Sequence, residues 1–168
     1  MTESHGSMTT SEFNQCVDNH ADGLYRFILK NIRDEDEARD IVQDSFEKMW
    51  RNHENVEGSK AKSYLFTTGH HTMIDRIRKK KYVSDFTEVN EESLFHTEQY
   101  SDLKQVLNNA INQLPDIQKA VITLRDFEGY SYEEIGKITE LSESQVKVYI
   151  YRARVFLKEY IGSMERVI

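Results

Sequence analysis

The stretch that decides the fold is residues 129–160, GYSYEEIGKITELSESQVKVYIYRARVFLKEY. Two capping boxes, Ser131 with Glu134 and Ser142 with Gln145, predict two short helices joined by a tight turn. Apolar residues recur at helical spacing through the second helix, and its other faces carry cations. This pattern is typical of a helix-turn-helix that reads DNA. The alternative is an ordinary helical hairpin with a solvated basic face, because the motif alone has many false positives.

The rest of the chain also predicts helices, so we expect an all-α protein. Among 168 residues there are one proline and seven glycines, and no window shows strands separated by hairpin turns. Thr9 with Glu12 predicts the start of a first helix, Asp34 caps a second, and a third runs from about Ser59 to about Lys81. We predict two small helical domains joined by a linker. The first is 9–82, the acidic linker is 83–101, and the second is 102–162, which contains the helix-turn-helix.

Composition excludes several classes of protein. Cys16 is the only cysteine, so neither an internal disulfide nor a cysteine-based metal site is possible. No apolar run approaches the ~20 residues of a membrane span, and no signal peptide is visible, so we expect a cytoplasmic protein without membrane insertion. No nucleophile–base pair and no glycine-rich phosphate loop is present. We therefore expect no enzymatic activity, no catalytic residue and no cofactor.

The distribution of charge says more than the net charge of −7. Seven cations and one acid lie between residues 60 and 82, whereas residues 83–102 hold six acids and no lysine or arginine. The local electrostatic field of a charge cluster, and not the net charge of the chain, determines where an anionic DNA duplex binds. An acidic surface that faces another protein and basic surfaces that face DNA would fit one chain.

The second predicted helix, residues 34–50 (DEDEARDIVQDSFEKMW), buries one apolar face and exposes an acidic one. The acidic face is either simply solvated or a docking face for a basic partner helix, and the pattern leaves both open.

The third predicted helix ends in a cationic run, residues 74–81 (IDRIRKKK). Cations favour a helix C-terminus, but five in six residues exceed what the helix dipole needs, so we predict phosphate contacts. Upstream, residues 63–71 (SYLFTTGHH) bring together aromatic and histidine side chains that could stack on unpaired bases. Core packing is the alternative for Tyr64 and Phe66. Adjacent His70 and His71 lack the i, i+4 spacing of a helical metal site, so we expect no metal.

In this order and spacing, three segments resemble the extracytoplasmic-function (ECF) sigma factors of bacterial RNA polymerase. They are DEDEARDIVQDSFEKMW (34–50), AKSYLFTTGHHTMIDRIRKKK (61–81) and LPDIQKAVITLRDFEGYSYEEIGKITELSESQVKVYIYRAR (114–154). The resemblance implies a protein that binds core RNA polymerase, the melted minus-ten strand and the double-stranded minus-thirty-five element of promoter DNA. It also implies control by an anti-sigma factor.

The resemblance assigns roles to individual residues. Those that would face the polymerase clamp are Asp40, Gln43, Asp44, Glu47 and Trp50. Those that would contact DNA in the first domain are Lys60, Tyr64 and His71, and the cationic run adds Arg76, Arg78, Lys79 and Lys80 as predicted DNA contacts. Those that would contact it in the second are Arg125, Tyr132, Lys147, Val148, Tyr151 and Arg152. Gly136 stands where the family usually has alanine, which predicts a less stable helix.

Two other functions compete with a sigma subunit. One is an ordinary helix-turn-helix regulator whose first domain dimerises or senses a ligand. The other is a helical metal hydrolase that uses the histidines. The spacing of the histidines argues against a metal site and therefore against this function. The basic helix beside an aromatic cluster favours the sigma subunit, because a sensing domain does not need it.

Overall fold

Seven α-helices make up most of the chain that the computed structural model describes, residues 7–86 and 102–165. They are α1 (Thr10–Ile32), α2 (Glu35–Arg51), α3 (Ala61–Phe86), α4 (Asp102–Asn112), α5 (Asp116–Ile122), α6 (Tyr132–Thr139) and α7 (Glu143–Glu165). Two 3-10 turns, His53–Asn55 and Gly58–Lys60, precede α3, and a π-helical turn, Thr123–Phe127, extends α5. These residues contain no strand, which confirms the all-α prediction.

The helix starts are where the capping residues predict them. The Thr9 hydroxyl accepts from the Glu12 backbone N–H at 3.1 Å, and the Glu12 carboxylate accepts from the Thr9 N–H at 3.1 Å. The Asp34 carboxylate accepts from the Glu37 N–H at 3.0 Å at the start of α2. Each bond satisfies a backbone donor that has no partner inside the helix, so the chain fixes these boundaries locally.

The third helix is longer than the sequence predicts. It ends at Phe86 rather than near Lys81, so residues 83–86 of the predicted linker are helical. No glycine or proline lies between Gly69 and Pro115, and the loss of apolar periodicity alone does not end a helix. The remaining linker residues, 87–101, lie outside the described part of the chain.

The first three helices pack around one apolar core. Leu24, Phe27, Ile41 and Leu65 are completely buried. Close packing of α1 on α3 depends on Gly69, because a Cβ there would lie 2.7 Å from Leu24 Cδ1. This packing fixes the outward faces of α2 and α3, which carry the predicted binding residues.

The helices after α3 form a second unit around Ile122, Leu124, Ile135 and Val146, all buried. The π-helical turn is marked by the hydrogen bond from the Glu128 N–H to the Thr123 carbonyl at 3.2 Å. Two residues after the turn, Gly129 has a φ of 75° that glycine adopts without strain.

The two units pack against each other through α1 and α3 on one side and α4, α5, α6 and the π-helical turn on the other. At their centre the buried Asn31 amide donates to the Thr123 hydroxyl at 3.0 Å, and the buried Lys119 ammonium donates to the Asn31 carbonyl at 3.3 Å. At the edge, the Arg26 guanidinium donates to both carboxylate oxygens of Glu128, each at 3.2 Å. One continuous hydrophobic core therefore runs through both units, and residues of α1, α2, α3, α5, α6 and α7 contribute to it. None of the described helices is long and apolar enough to cross a membrane.

Candidate nucleic-acid and polymerase interfaces

The helix-turn-helix consists of α6, a tight turn and α7. The Ser131–Glu134 and Ser142–Gln145 capping boxes are both formed, with bonds of 2.9–3.2 Å. Glu140 ends α6 in the left-handed region with a φ of 61°, and the Leu141 N–H bonds to the Gly136 carbonyl at 3.0 Å. A Cβ on Gly136 would lie 2.8 Å from the Leu141 carbonyl oxygen. This glycine therefore has a steric role, since it lets the turn approach α6. The loss of stability predicted from helix propensity alone does not take this close approach into account.

The recognition helix α7 presents its predicted contact residues to solvent. Lys147, Val148, Tyr151 and Arg152 are all exposed, and Tyr151 retains 69% of its accessible surface. Lys147 Nζ lies 3.4 Å from a Glu143 carboxylate oxygen. The helix thus offers a large aromatic and an apolar side chain between two cations.

Arg125 and Tyr132 support the recognition helix from the side. The Arg125 guanidinium lies 4.4 Å from the centre of the Tyr132 ring and donates to the Tyr130 carbonyl at 2.8 Å. Lys147 Nζ lies 5.5 Å from the same Tyr132 ring. These contacts place three of the predicted DNA-binding side chains in one group.

One further contact was not predicted from the sequence. The Arg154 guanidinium bonds to both carboxylate oxygens of Asp126, at 2.6 and 3.2 Å, and ties α7 to the π-helical turn. Hydrogen bonding to Asp126 raises the pKa of Arg154. Because the partners are 28 residues apart, no local pattern indicates this pair.

On the first unit, α2 exposes Asp40, Gln43, Glu47 and Trp50. Trp50 stacks on the His53 ring at 4.3 Å between ring centres and meets the Phe13 ring edge-on at 5.0 Å. Beside them lies a groove of about 430 Å³ lined by residues of both α1 and α2. The predicted polymerase-binding face is therefore acidic on α2 and aromatic where α2 meets α1.

Tyr64 and His71, the residues predicted to read melted DNA, lie on α3 in different surroundings. The half-buried Tyr64 hydroxyl accepts from the Asn52 amide at 3.0 Å. His71 is exposed on the side that faces the helix-turn-helix, and its Nε2 lies 3.5 Å from a Glu140 carboxylate oxygen. Lys60 is the last residue of the 3-10 turn before α3, and its Nζ lies 3.8 Å from a Glu57 carboxylate oxygen.

Phe66 and His70 belong to the core. Phe66 retains 2% of its accessible surface and packs on the buried Tyr130 ring at 5.0 Å between centres. His70 retains 5%, and neither of its ring nitrogens has a hydrogen-bond partner. Burial lowers the pKa of His70 to about 4, with a smaller contribution from His71. Within the described residues, no group of three potential ligands is arranged to hold a metal ion.

The basic run at the end of α3 divides into paired and unpaired cations. The Arg76 guanidinium bonds to Asp40 and Asp44 on α2, and Lys80 Nζ lies 3.7 Å from Glu37. Among the described residues, Arg78 and Lys79 make no ion pair, and both are exposed. The predicted DNA-binding cations therefore differ in their freedom to meet a phosphate.

Comparison with known proteins identifies the family. A profile of sigma-70 region 2 matches residues 16–82, and a profile of sigma-70 region 4 matches residues 104–157. The chain is 30% identical over 156 residues to the ECF RNA polymerase sigma factor SigM of Bacillus subtilis, covering 90% of this chain and 94% of SigM. It is 32% identical over 139 residues to the RNA polymerase sigma factor SigV of the same organism, covering 82% and 84%.

A solved structure agrees with these matches. A chain of the co-crystal structure of the sigma factor RpoE with the anti-sigma factor NepR from Bartonella quintana matches with a TM-score of 0.78. It is 31% identical, and the match covers 91% of this chain and 98% of that one. The chain therefore belongs to the ECF sigma factors of the sigma-70 family, as its sequence predicts. The chain is therefore a sigma factor, which directs RNA polymerase to promoters, and not an ordinary helix-turn-helix regulator.

Proposed function

We propose that this sigma factor uses three separate surfaces, each of which binds a different partner. The exposed face of α2 and the groove beside Trp50 bind core RNA polymerase. The solvent-exposed side of α3 and the loop before it bind the melted minus-ten strand. The outer face of α7 reads the double-stranded minus-thirty-five element.

The observation that carries this proposal is the exposed outer face of α7 after a fully capped turn. An α-helix presented in this way fits the major groove, where side chains reach base edges. Lys147 and Arg152 can donate to base edges or phosphates, and Val148 can meet a thymine methyl group. Arg125 and Tyr132 lie at the edge of this face and suit contact with the DNA backbone.

Reconstituted transcription tests the proposal as a whole. The full chain is added to core RNA polymerase with templates that carry candidate promoters, and transcripts that start at a defined position are the expected result. Glu47→Lys should weaken binding to core polymerase, because Glu47 is exposed on the proposed face and the substitution reverses its charge. Core binding that is indifferent to Glu47→Lys would remove α2 from the proposal.

A pre-melted template tests the minus-ten surface. Bases in a duplex are stacked, so a residue that binds an unpaired base acts only after the strand has opened. We expect Tyr64→Ala and His71→Ala to impair open-complex formation more than core binding. Tyr64→Phe is the matched control, because it keeps the stacking ring and loses only the bond with Asn52. Equal transcription by all variants from duplex and pre-melted templates would contradict this assignment.

An anti-sigma factor is the expected regulator. The RpoE relative from Bartonella quintana was solved in complex with the anti-sigma factor NepR. In this chain, a cleft of about 660 Å³ between α3 and the helix-turn-helix is lined by apolar and charged side chains of both units. A regulator bound there would hold the two DNA-binding units together. A purified candidate anti-sigma protein should compete with core polymerase for the chain, and independent binding of the two would count against this regulation.

A further inference from the structure

A row of polar contacts joins α2 and α3, the helices proposed to bind polymerase and melted DNA. Thr72, Arg76 and Lys80 follow one another at intervals of four residues on α3 and therefore share one face. The Thr72 hydroxyl accepts from Lys48 at 2.9 Å, and Lys80 lies 3.7 Å from Glu37. Arg76, at the centre of the row, makes the shortest contacts.

The Arg76 guanidinium bridges two carboxylates on α2. Its Nη1 donates to Asp40 Oδ2 and its Nη2 donates to Asp44 Oδ2, both at 2.6 Å. Among the described residues, the Oδ1 atoms of Asp40 and Asp44 accept no hydrogen bond. The side chain of Arg76 retains only 25% of its accessible surface, whereas Asp40 retains 62% and Asp44 38%. The cation is thus the inner member of the group and the carboxylates are the outer members.

This arrangement orders the two carboxylates. Like charges four residues apart on a helix repel each other, and a guanidinium between them removes that repulsion. Each carboxylate is held by one charge-assisted bond and keeps one oxygen for a further donor. A partner that binds side chains already ordered loses less conformational entropy on association.

The same geometry makes Arg76 a poor ligand for DNA. A phosphate contact would require the guanidinium to leave two charge-assisted bonds and to turn outward past Asp40 and Asp44. Lys79, three residues further on the same helix, is exposed and makes no ion pair with a described residue. A phosphate near the end of α3 therefore meets Lys79 at a lower cost than Arg76.

We infer that Arg76 is a positioning residue of the polymerase-binding face and not a DNA contact. It holds Asp40 and Asp44 with one oxygen of each directed to a basic partner, and it ties this face to the helix that carries Tyr64 and His71. The inference rests on the proposed role of α2 in polymerase binding.

The test compares Arg76→Gln and Arg76→Lys with Lys79→Gln in the full-length chain. Arg76→Gln should weaken binding to core polymerase by about fivefold or more, because two side chains lose their fixed orientation. The affinity of Arg76→Lys for core polymerase should lie between that of Arg76→Gln and that of the unsubstituted chain, because a lysine ammonium cannot bridge both carboxylates as the planar guanidinium does. Lys79→Gln removes the same charge from the same helix and should leave core affinity unchanged.

Salt dependence of DNA binding separates positioning from phosphate contact. Binding of the reconstituted holoenzyme to a pre-melted template is measured over a range of salt concentrations. Lys79→Gln should lower the slope of log affinity against log salt by about 0.7, as expected for one single-strand phosphate. Arg76→Gln should leave the slope unchanged. A lower slope for Arg76→Gln with unaltered core affinity would overturn the inference and make Arg76 a DNA contact.

A double-mutant cycle shows whether Arg76 acts through its carboxylate partners. In a chain that already carries Asp40→Asn and Asp44→Asn, Arg76→Gln should produce no further loss of core affinity. An equal further loss in that background would overturn the inference. If Glu47→Lys weakens core binding but Arg76→Gln does not, the inference alone fails. If neither Glu47→Lys nor the two asparagine substitutions affect core binding, the proposed face on α2 fails as well.

Discussion

Replacing the buried His70 should flatten the dependence of stability on pH. The side chain retains 5% of its accessible surface, and both ring nitrogens lack a hydrogen-bond partner. Burial lowers its pKa from 6.5 to about 4 in the folded protein. Two and a half pH units at about 1.36 kcal/mol each correspond to about 3 kcal/mol of folding free energy.

The direction of the change in stability with pH depends on whether the folded or the unfolded state binds the proton. Between pH 6.5 and pH 4 the unfolded chain protonates His70 and the folded protein does not. The free energy of unfolding therefore falls as the pH is lowered through this window, and this contribution is complete below the folded pKa. Above pH 6.5 the imidazole is neutral in both states and contributes no pH dependence.

Urea unfolding followed by circular dichroism between pH 4 and 7.5 measures this effect. His70→Phe and His70→Leu should both be less sensitive to acid than the unsubstituted chain, whether or not the larger or smaller side chain changes stability at pH 7.5. Phe66→Leu, one turn earlier in α3, is the control. It removes buried apolar volume and should lower stability by a similar amount at every pH.

The slope of stability against pH decides the outcome. If His70→Phe and His70→Leu lose stability between pH 6.5 and pH 4 as steeply as the unsubstituted chain, His70 is not the group responsible. An NMR titration of the imidazole gives an independent value, and an apparent pKa near 6.5 in the folded protein would contradict the reasoning in the same way.

Three further substitutions, one of them with a matched control, test the contact between the units, the turn and the recognition helix. Arg26→Ala leaves the mostly buried Glu128 carboxylate without its guanidinium; it should destabilise the contact by about 1 kcal/mol and increase the radius of gyration in small-angle scattering. Gly136→Ala should lower the free energy of unfolding by about 1–3 kcal/mol, because the added Cβ would overlap the Leu141 carbonyl oxygen in the turn. Gly162→Ala is the control: it lies in open space on α7 and should raise the free energy of unfolding by about 0.5–1 kcal/mol. Lys147→Ala should weaken binding to minus-thirty-five duplex DNA by about 1–3 kcal/mol if it reads a base edge, and unchanged binding would exclude that role.

The local features of the fold could be predicted from the sequence because their causes lie within a few residues. The capping boxes at Thr9, Ser131 and Ser142 join residues three positions apart, and all of them are formed. The buried faces of α1, α2 and α7 follow from the spacing of their apolar residues. The end of α3 was predicted too early because the chain there has no helix-breaking residue, and only the periodicity changes.

The environments of the site residues could not be predicted, because they depend on residues distant in the chain. His70 and His71 are neighbours in sequence, yet one is buried in the core and the other faces Glu140 across the contact between the units. Tyr64 and Phe66 are similar in type and differ in the same way, since one is half-buried at the surface and the other is part of the core. Where a helix is covered on more than one side, helical periodicity does not show which residue of such a pair is the more buried.

The basic run at the end of α3 shows how tertiary structure changes the meaning of a charge pattern. Residues 76–81 contain five cations, and the sequence alone gives no reason to assign them different roles. In the structure, Arg76 and Lys80 pair with carboxylates of the acidic helix α2, while Arg78 and Lys79 are exposed and make no ion pair with a described residue. The acidic face of α2 and the basic run are therefore partly one feature, in which opposite charges hold two helices together. What this pairing leaves over is one oxygen on each of Asp40 and Asp44 and, among the described cations of the run, Arg78 and Lys79.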